Sequence, residues 1–311
     1  MTKRLTAVLL TLVFAIGMLS GCSEKPQTPD DGRISIICTV FPVYDWLLEI
    51  IGEDADKFNI KLLGNGGDLH SYQPTASDIA MLHNCDLLIY VGGESDKWVE
   101  EIIGEESLNS LKLFDVNKEA LLHEEHEHSH EEGMAYDEHI WLSLRLAKRS
   151  VDAIGKKVSE IVPGKNEEYE KNAQKYCQRL DDLNKEYIRA VGDSEDKTII
   201  FADRFPFIYL TEDYDIKCYA AFPGCSADTD ASFETVIELA EEMKRLDKNT
   251  VLVLENQSQT VVDAVTKAAG KTSAKIEVMN SCQTVRTDAT DKKDYLEIMK
   301  ENLAALSEAL K

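Results

Sequence analysis

The sequence predicts an α/β protein with two α/β lobes, each with a mainly parallel sheet, joined by one long helix. Short apolar segments alternate with helical segments from Ile34 to Phe114, and the alternation resumes from Thr198 to Leu310. This alternation favours parallel strands whose connecting helices cover the sheet. Between the two regions, Lys165–Val191 carries one charged helical pattern that would span roughly 40 Å. A helix of that length is typical of a spacer between two lobes.

Four strands are predicted before the long helix, each a short and mainly apolar run. These strands are Ile34–Val40, Asn59–Leu63, Leu87–Val91 and Leu111–Phe114. The helices predicted in this region are Tyr44–Ile51, Thr75–Leu82, Ser95–Ile103 and Leu142–Ile161.

Four more strands are predicted after the long helix, at Thr198–Ala202, Ile216–Ala220, Val251–Leu254 and Lys275–Met279. Their accompanying helices are predicted at Phe207–Leu210, Phe233–Leu246, Ser258–Ala269 and Asp291–Leu310. The predicted organisation is a signal peptide at 1–21, a tether at 22–33, a first lobe at 34–163 with a histidine-rich loop at 123–132, a linking helix at 164–193 and a second lobe at 194–311.

The chain is strongly acidic. Its 311 residues include 34 Lys and Arg and 57 Asp and Glu, so the formal charge is 34 − 57 = −23. Such a chain is repelled by nucleic acids and anionic lipid surfaces, and it attracts cationic ligands. No basic patch with interleaved aromatic residues is present, so nucleic-acid binding is not expected. We expect a monomer.

The N-terminus has the pattern of an export signal. Lys3 and Arg4 precede the apolar stretch Leu5–Leu19, and Leu19-Ser20-Gly21-Cys22 matches the lipobox of bacterial lipoproteins. In that class the cysteine thiol is lipidated, which predicts an anchor at Cys22 on the extracytoplasmic face of the cell membrane. The alternative is an ordinary signal peptide with a chance cysteine. The polar segment that follows, Ser23–Gly32, is predicted to be a tether.

A histidine-rich stretch between His123 and Trp141 indicates metal binding. Four of its histidines alternate with glutamates: His123, His126, His128 and His130. Short tracts of this composition bind metals, although a solvated acidic loop is the alternative. His139 differs because it adjoins the apolar residues Ile140 and Trp141. We therefore expect the first four histidines to collect metal loosely and His139 to belong to a fixed site.

His70 is a second candidate ligand. It lies in the loop Gly64–Pro74, directly after a predicted strand. Open α/β sheets place ligands at the carboxyl ends of their strands, which favours a binding role. The alternatives are a loop-capping histidine at position 70 and a helix N-terminal histidine at position 139.

Four segments, in order and spacing, resemble the ZnuA-like cluster of solute-binding lipoproteins, which feed zinc or manganese to ABC importers. The segments are GNGGDLHSYQPTASD, DLLIYVGGESDKW, the acidic histidine-rich loop and DEHIWLSL. The resemblance runs from about Ile34 to the C-terminus. It implies two α/β lobes joined by one long rigid helix, metal ligands at His70 and His139, and delivery to an ABC permease with its ATPase subunit.

The sequence departs from this family at two further ligand positions. Ala202, in FADRFPFIYL, stands where the family has histidine or glutamate, and Asn280, in VMNSC, stands where it usually has aspartate. A closed zinc site needs four ligands, so another group must complete it. Glu255 and Asp203 are the predicted replacements, since each lies at or beside a strand end. Alternatively, Glu255 is a helix N-terminal charge and Asp203 pairs with Arg204. Cys225, Asp228, Asp230, Cys282 or a loop histidine are further possibilities.

These patterns favour a protein that captures Zn²⁺ for an importer, with Mn²⁺ as the alternative cargo. Imidazole ligands suit zinc better than manganese, which prefers oxygen. A second hypothesis keeps the fold but gives the altered site another small ligand or metal. A third is a metallohydrolase with Glu255 as its base. No G-x-S-x-G or H-E-x-x-H motif is present, and catalysis is not expected.

Overall fold

Two four-stranded parallel sheets form the framework of the described part of the chain. A computed structural model describes residues 32–104, 108–123, 135–224, 232–256 and 259–311. The strands are β1 (Ile34–Cys38), β2 (Phe58–Leu62), β3 (Leu87–Tyr90), β4 (Ser110–Lys112), β5 (Thr198–Phe205), β6 (Lys217–Pro223), β7 (Thr250–Leu254) and β8 (Lys275–Met279). Their orders are β2-β1-β3-β4 and β6-β5-β7-β8. The predicted α/β class, with a parallel sheet in each lobe, is confirmed.

Helices connect the strands, because successive parallel strands need crossover connections. The helices are α1 (Phe41–Ile51), α2 (Ala76–Leu82), α3 (Lys97–Ile103), α4 (Leu113–Asn117), α5 (Leu144–Ile161), α6 (Asn166–Gly192), α7 (Ile208–Tyr214), α8 (Phe233–Arg245), α9 (Gln259–Ala268) and α10 (Tyr295–Ala309). Helix α6 has 27 residues and connects the part of the chain that forms the first sheet to the part that forms the second. The long connecting helix predicted from the charged pattern is therefore present.

Several strand ends differ from the prediction. A strand through Phe114 was expected, but β4 ends at Lys112 and α4 begins at Leu113. The neighbouring strand β3 stops at Tyr90, because the next N–H group, that of Val91, donates to the carboxylate of Asp96 at 2.7 Å. Strand β5 continues beyond the predicted end at Ala202 to Phe205, with a register shift after Phe201.

The hydrophobic core is shared between the two sheet regions. One cluster of buried side chains draws on β1, on α1, on the apolar face of α6 and on α10. Trp46 of α1 meets Tyr295 of α10 edge to face, with ring centroids 5.2 Å apart. Tyr187 of α6 donates from its hydroxyl to the carbonyl of Met299 at 2.6 Å. Residues Arg33–Lys311 accordingly form one compact unit.

Several predictions fall on residues that the structure does not describe. The signal peptide at 1–21, the anchor at Cys22 and most of the tether lie outside the described ranges. The same holds for three histidines and three second-lobe candidates, namely His126, His128, His130, Cys225, Asp228 and Asp230. Within the ranges that are described, no helix is both long enough and apolar enough to cross a membrane. The predicted domain boundaries stay predictions.

A buried carboxyl group links α1 to the start of α10. Asp45 is 5% exposed, and its carboxylate accepts the backbone N–H of Tyr295 at 3.0 Å. Burial raises the pKa of Asp45 from 3.8 to about 6. The folded protein therefore binds this proton more tightly than the unfolded chain does, and stability falls as pH rises from about 4 to about 6.

Asp45→Asn should remove this loss, since the amide oxygen still accepts the Tyr295 N–H and carries no charge. The shift corresponds to at most about 3 kcal/mol. We expect the variant to gain free energy of unfolding relative to the parent as pH rises from 4 to 8, measured by urea denaturation. The exposed Asp56→Asn is the matched control. A difference between Asp45→Asn and the parent that does not change with pH would contradict this account.

Candidate metal centre

The two histidines predicted as ligands lie side by side. Their ring centroids are 5.6 Å apart, with the planes inclined at 52°. His70 lies in a 3₁₀ turn, Leu69–Ser71, beyond the carboxyl end of β2, and its N–H donates to the Asp68 carboxylate at 3.0 Å. His139 precedes a second 3₁₀ turn, Ile140–Leu142, and is 1% exposed. The two histidine motifs thus converge on one location.

A third candidate donor, Glu138, joins the histidines. Donor atoms of His70, Glu138 and His139 lie within 4.8 Å of one another, and among the described residues no other set of three or more histidine, cysteine or acidic side chains meets this test. Glu138 is 3% exposed, so its charge is almost fully withdrawn from water. Sequence reasoning missed this residue, although its position directly before His139 was a usable signal.

A carboxylate faces the Nδ1 atom of each imidazole. His139 Nδ1 is 3.0 Å from Asp137 Oδ1, which also accepts the backbone N–H of His139 at 2.9 Å. His70 Nδ1 is 3.3 Å from Glu138 Oε1 and 3.2 Å from Ser95 Oγ. Partners of this kind fix the orientation and tautomer of metal-binding histidines.

Ser95 holds the Glu138 carboxylate at both oxygens. Its N–H donates to Oε2 at 2.8 Å, and its hydroxyl donates to Oε1 at 2.5 Å. Ser95 lies in the 3₁₀ turn Glu94–Asp96, which follows β3 and the pair Gly92-Gly93. These two hydrogen bonds replace the hydrogen bonds to water that the carboxylate loses on burial.

Asp96 fixes the turn that carries Ser95. Its buried carboxylate accepts the N–H groups of Val91 at 2.7 Å and Gly92 at 3.0 Å, and the hydroxyl of Thr39 at 3.2 Å. Burial, together with a smaller contribution from the nearby Glu138 carboxyl group, raises the pKa of Asp96 to about 6. The glycine at position 93 leaves the space for Glu138, because a Cβ there would lie 2.3 Å from the Glu138 Cβ.

Glu255 and Asp203 lie outside the three-residue group. Glu255, which follows β7, accepts the N–H and hydroxyl of Ser281 at 2.9 and 2.5 Å, and burial raises its pKa. Asp203, within β5, accepts the N–H groups of Leu254 at 3.3 Å and Arg204 at 2.8 Å. Their predicted roles as ligands stay predictions.

Ala202 and Asn280 stand at the two positions where the sequence departs from the family. Ala202 is buried on β5. Asn280 accepts the N–H of Cys282 at 2.8 Å, and its own N–H donates to the Asn302 side chain at 2.7 Å. The turn around Ser281 also reaches the first-lobe site, because its carbonyl accepts the indole N–H of Trp141 at 2.8 Å.

Two other histidines are described. His123 forms an isolated antiparallel bridge with Tyr136, and their rings stack with centroids 4.3 Å apart. His123 is the first residue of the predicted metal-collecting loop, most of which lies outside the described residues. His83 is exposed at the C-terminal end of α2.

The second lobe also contacts the loop that carries His70. Arg204 Nη1 lies 3.4 Å from Asp68 Oδ2, and Asp68 is the residue whose other oxygen accepts the His70 N–H. The Thr287 N–H donates to the Asn65 side chain at 2.8 Å. The candidate centre therefore lies where first-lobe loops are held by second-lobe residues.

Residues 36–309 match the family described as "Zinc-uptake complex component A periplasmic". The chain belongs to this family. The zinc-uptake component family was expected from the histidine motifs, and that expectation is confirmed. It groups this chain with solute-binding transport proteins.

Individual relatives in the zinc-uptake component family agree with this assignment. The high-affinity zinc uptake system protein ZnuA of Bacillus subtilis is 30% identical over 314 residues, covering 98% of this chain and 95% of the relative. The zinc-binding lipoprotein AdcA of Streptococcus pneumoniae is 30% identical over 300 residues, but this chain spans only 58% of its length. A crystal structure of the Zn(II)-bound ZnuA-like domain of that AdcA has a TM-score of 0.71 and 28% identity, covering 89% of this chain and 99% of the domain.

Proposed function

We propose that this protein is the extracytoplasmic solute-binding lipoprotein of an ABC importer that captures Zn²⁺. The observation that carries the proposal is the placement of His70 and His139 side by side, with ring centroids 5.6 Å apart, next to the buried carboxyl group of Glu138. Relatives named as zinc-binding or zinc-uptake proteins support zinc as the cargo. The acidic chain, with a formal charge of −23, favours accumulation of cations around it.

Zinc suits the donor set better than manganese does. Imidazole nitrogens are preferred by zinc, copper, nickel and iron, whereas manganese prefers oxygen ligands. Two imidazoles supply half of a four-ligand zinc site. Oxygen donors would fill the remaining coordination positions, and we retain Glu255 and Asp203 of the second lobe as candidates. The histidines of the loop at 123–132 would bind further metal more loosely.

Delivery completes the proposed function. The importer would consist of a membrane permease with its ATPase subunit, and this protein would bring the ion to the permease as a monomer. The protein would not be an enzyme, since the donor set is used to hold the cargo and not to activate water. Lipid attachment at Cys22 would keep the protein at the membrane surface, close to the permease.

Replacing either histidine should abolish tight zinc binding. The background is a variant in which three of the four loop histidines, His126, His128 and His130, are changed to alanine, so that the loop contributes little to zinc binding. We expect one tight site in the background protein, lost in His70→Ala and in His139→Ala because each removes a direct ligand. The loss should exceed 100-fold in affinity, which is above the range found for outer-shell partners. Competition titration with a zinc chelator measures this.

His83→Ala is the matched control, because His83 is an exposed histidine of the same lobe. It should bind zinc as the background protein does. Tight zinc binding that survives both site substitutions would refute the proposal. A background protein that prefers Mn²⁺ would reassign the cargo, and one that binds no metal would favour another ligand for this fold.

Attachment through Cys22 has its own test. The sequence Leu19-Ser20-Gly21-Cys22 predicts lipidation of the thiol, so Cys22→Ala should release the protein from the membrane fraction of the cells. Cell fractionation with immunoblotting measures the distribution, and Cys85→Ala in the first lobe is the control. Membrane association that is unchanged in Cys22→Ala would contradict the anchor.

A further inference from the structure

We propose that Glu138 and Ser95 are positioning residues that act through His70, and that they are not metal ligands. In this arrangement Ser95 and Glu138 keep a proton on His70 Nδ1, so that Nε2 is the nitrogen that binds the ion. The part of this inference that concerns metal binding rests on the proposed function. The part that concerns the hydrogen bonds of the metal-free protein does not rest on it and can be tested separately.

The assignment of the proton to His70 Nδ1 follows from the number of protons that Ser95 can donate. Ser95 has one hydroxyl proton, and that proton goes to Glu138 Oε1 at 2.5 Å. The same hydroxyl oxygen lies 3.2 Å from His70 Nδ1. The proton for this second contact must therefore come from Nδ1, since the Ser95 hydroxyl has no second proton to donate. With Nδ1 protonated, the lone pair of the neutral imidazole is on Nε2.

The second histidine has the same arrangement. His139 Nδ1 lies 3.0 Å from Asp137 Oδ1, and this oxygen also accepts the His139 backbone N–H. Each histidine therefore presents Nδ1 to a carboxylate. For His139 the contact is direct, and for His70 the hydroxyl of Ser95 lies beside it. Histidine ligands with such partners have a fixed ring orientation and a more basic coordinating nitrogen.

The hydrogen bonds that Glu138 already accepts argue against direct coordination of the metal ion by its carboxyl group. Both of its oxygens already accept donors from Ser95, at 2.8 and 2.5 Å. Binding an ion through Oε1 and His70 Nδ1 would displace the Ser95 hydroxyl from both partners. In the proposed arrangement, the carboxyl groups of Asp137 and Glu138 lie behind the two imidazoles without occupying coordination positions. Those positions stay available to second-lobe groups.

The tautomer of His70 in metal-free protein is the first readout. Long-range ¹H–¹⁵N correlation spectra of histidine-labelled protein at pH 8 report which ring nitrogen carries the proton. The background is again the variant lacking the three loop histidines, and His70→Ala assigns the signal. We expect His70 to be protonated at Nδ1. In Glu138→Ala the Ser95 hydroxyl is released and can donate to Nδ1, so protonation should move toward Nε2.

Zinc affinity is the second readout. Glu138→Ala and Ser95→Ala should each weaken binding about 10-fold to 100-fold, the range typical of outer-shell partners. Ser95→Thr keeps the hydroxyl and should restore most of the affinity. The exposed Glu119→Ala is the matched control and should bind as the background does. Circular dichroism checks that each variant is folded.

Three results would overturn the inference. The first is a His70 ring protonated at Nε2 in the background protein. The second is an unchanged affinity in folded Glu138→Ala. The third is a loss in Glu138→Ala as large as that in His70→Ala, together with one fewer light-atom neighbour at the zinc absorption edge, which would make Glu138 a ligand. A background protein without a tight zinc site would instead refute the proposed function, while the tautomer would still test the hydrogen bonding.

Discussion

The geometry of the candidate centre depends on one constraint, the need of the buried Glu138 carboxylate for hydrogen-bond donors. Glu138 is 3% exposed, and a buried carboxyl group is stable only when hydrogen bonds within the protein replace its lost hydration. Ser95 meets that need with two donors, and its position is fixed by Asp96, which binds the backbone after β3. The absence of a side chain at Gly93 admits the carboxylate. His70 then meets a hydroxyl and a carboxylate whose places are already determined.

The same centre is attached to the rest of the fold on both sides. Trp141, two residues after His139, donates its indole N–H to Ser281, and its carbonyl accepts the Tyr295 hydroxyl at 2.6 Å. Glu255 holds Ser281 through two hydrogen bonds, so it supports the site through this turn whether or not it binds metal. Because the buried core is continuous through α6, a displacement of the second lobe would be transmitted to His139 through Trp141.

Much of this architecture is predictable from the sequence, because apolar periodicity determines it. The alternation of strand and helix patterns gave both lobes and the long helix, and the two histidine motifs gave residues that do meet. Glu138 escaped prediction because the segment before His139 has no periodic pattern that would show which way its side chains point. The backbone at His139 is irregular, with φ −81° and ψ 38°. The hydrogen bonds that occupy Glu255 and Asp203 depend on the Ser281 turn and the β5 register shift, which leave no periodic signal.

A crystal structure of the zinc-loaded protein, without the three loop histidines, tests the central claim most directly. The account predicts one ion about 2.0–2.1 Å from Nε2 of both His70 and His139. It also predicts that Glu138 still accepts both Ser95 donors, and that oxygen donors complete the coordination. An ion bound by Nδ1 of His70 together with Glu138 would contradict the assigned roles. An ion bound away from these two histidines would contradict the account as a whole.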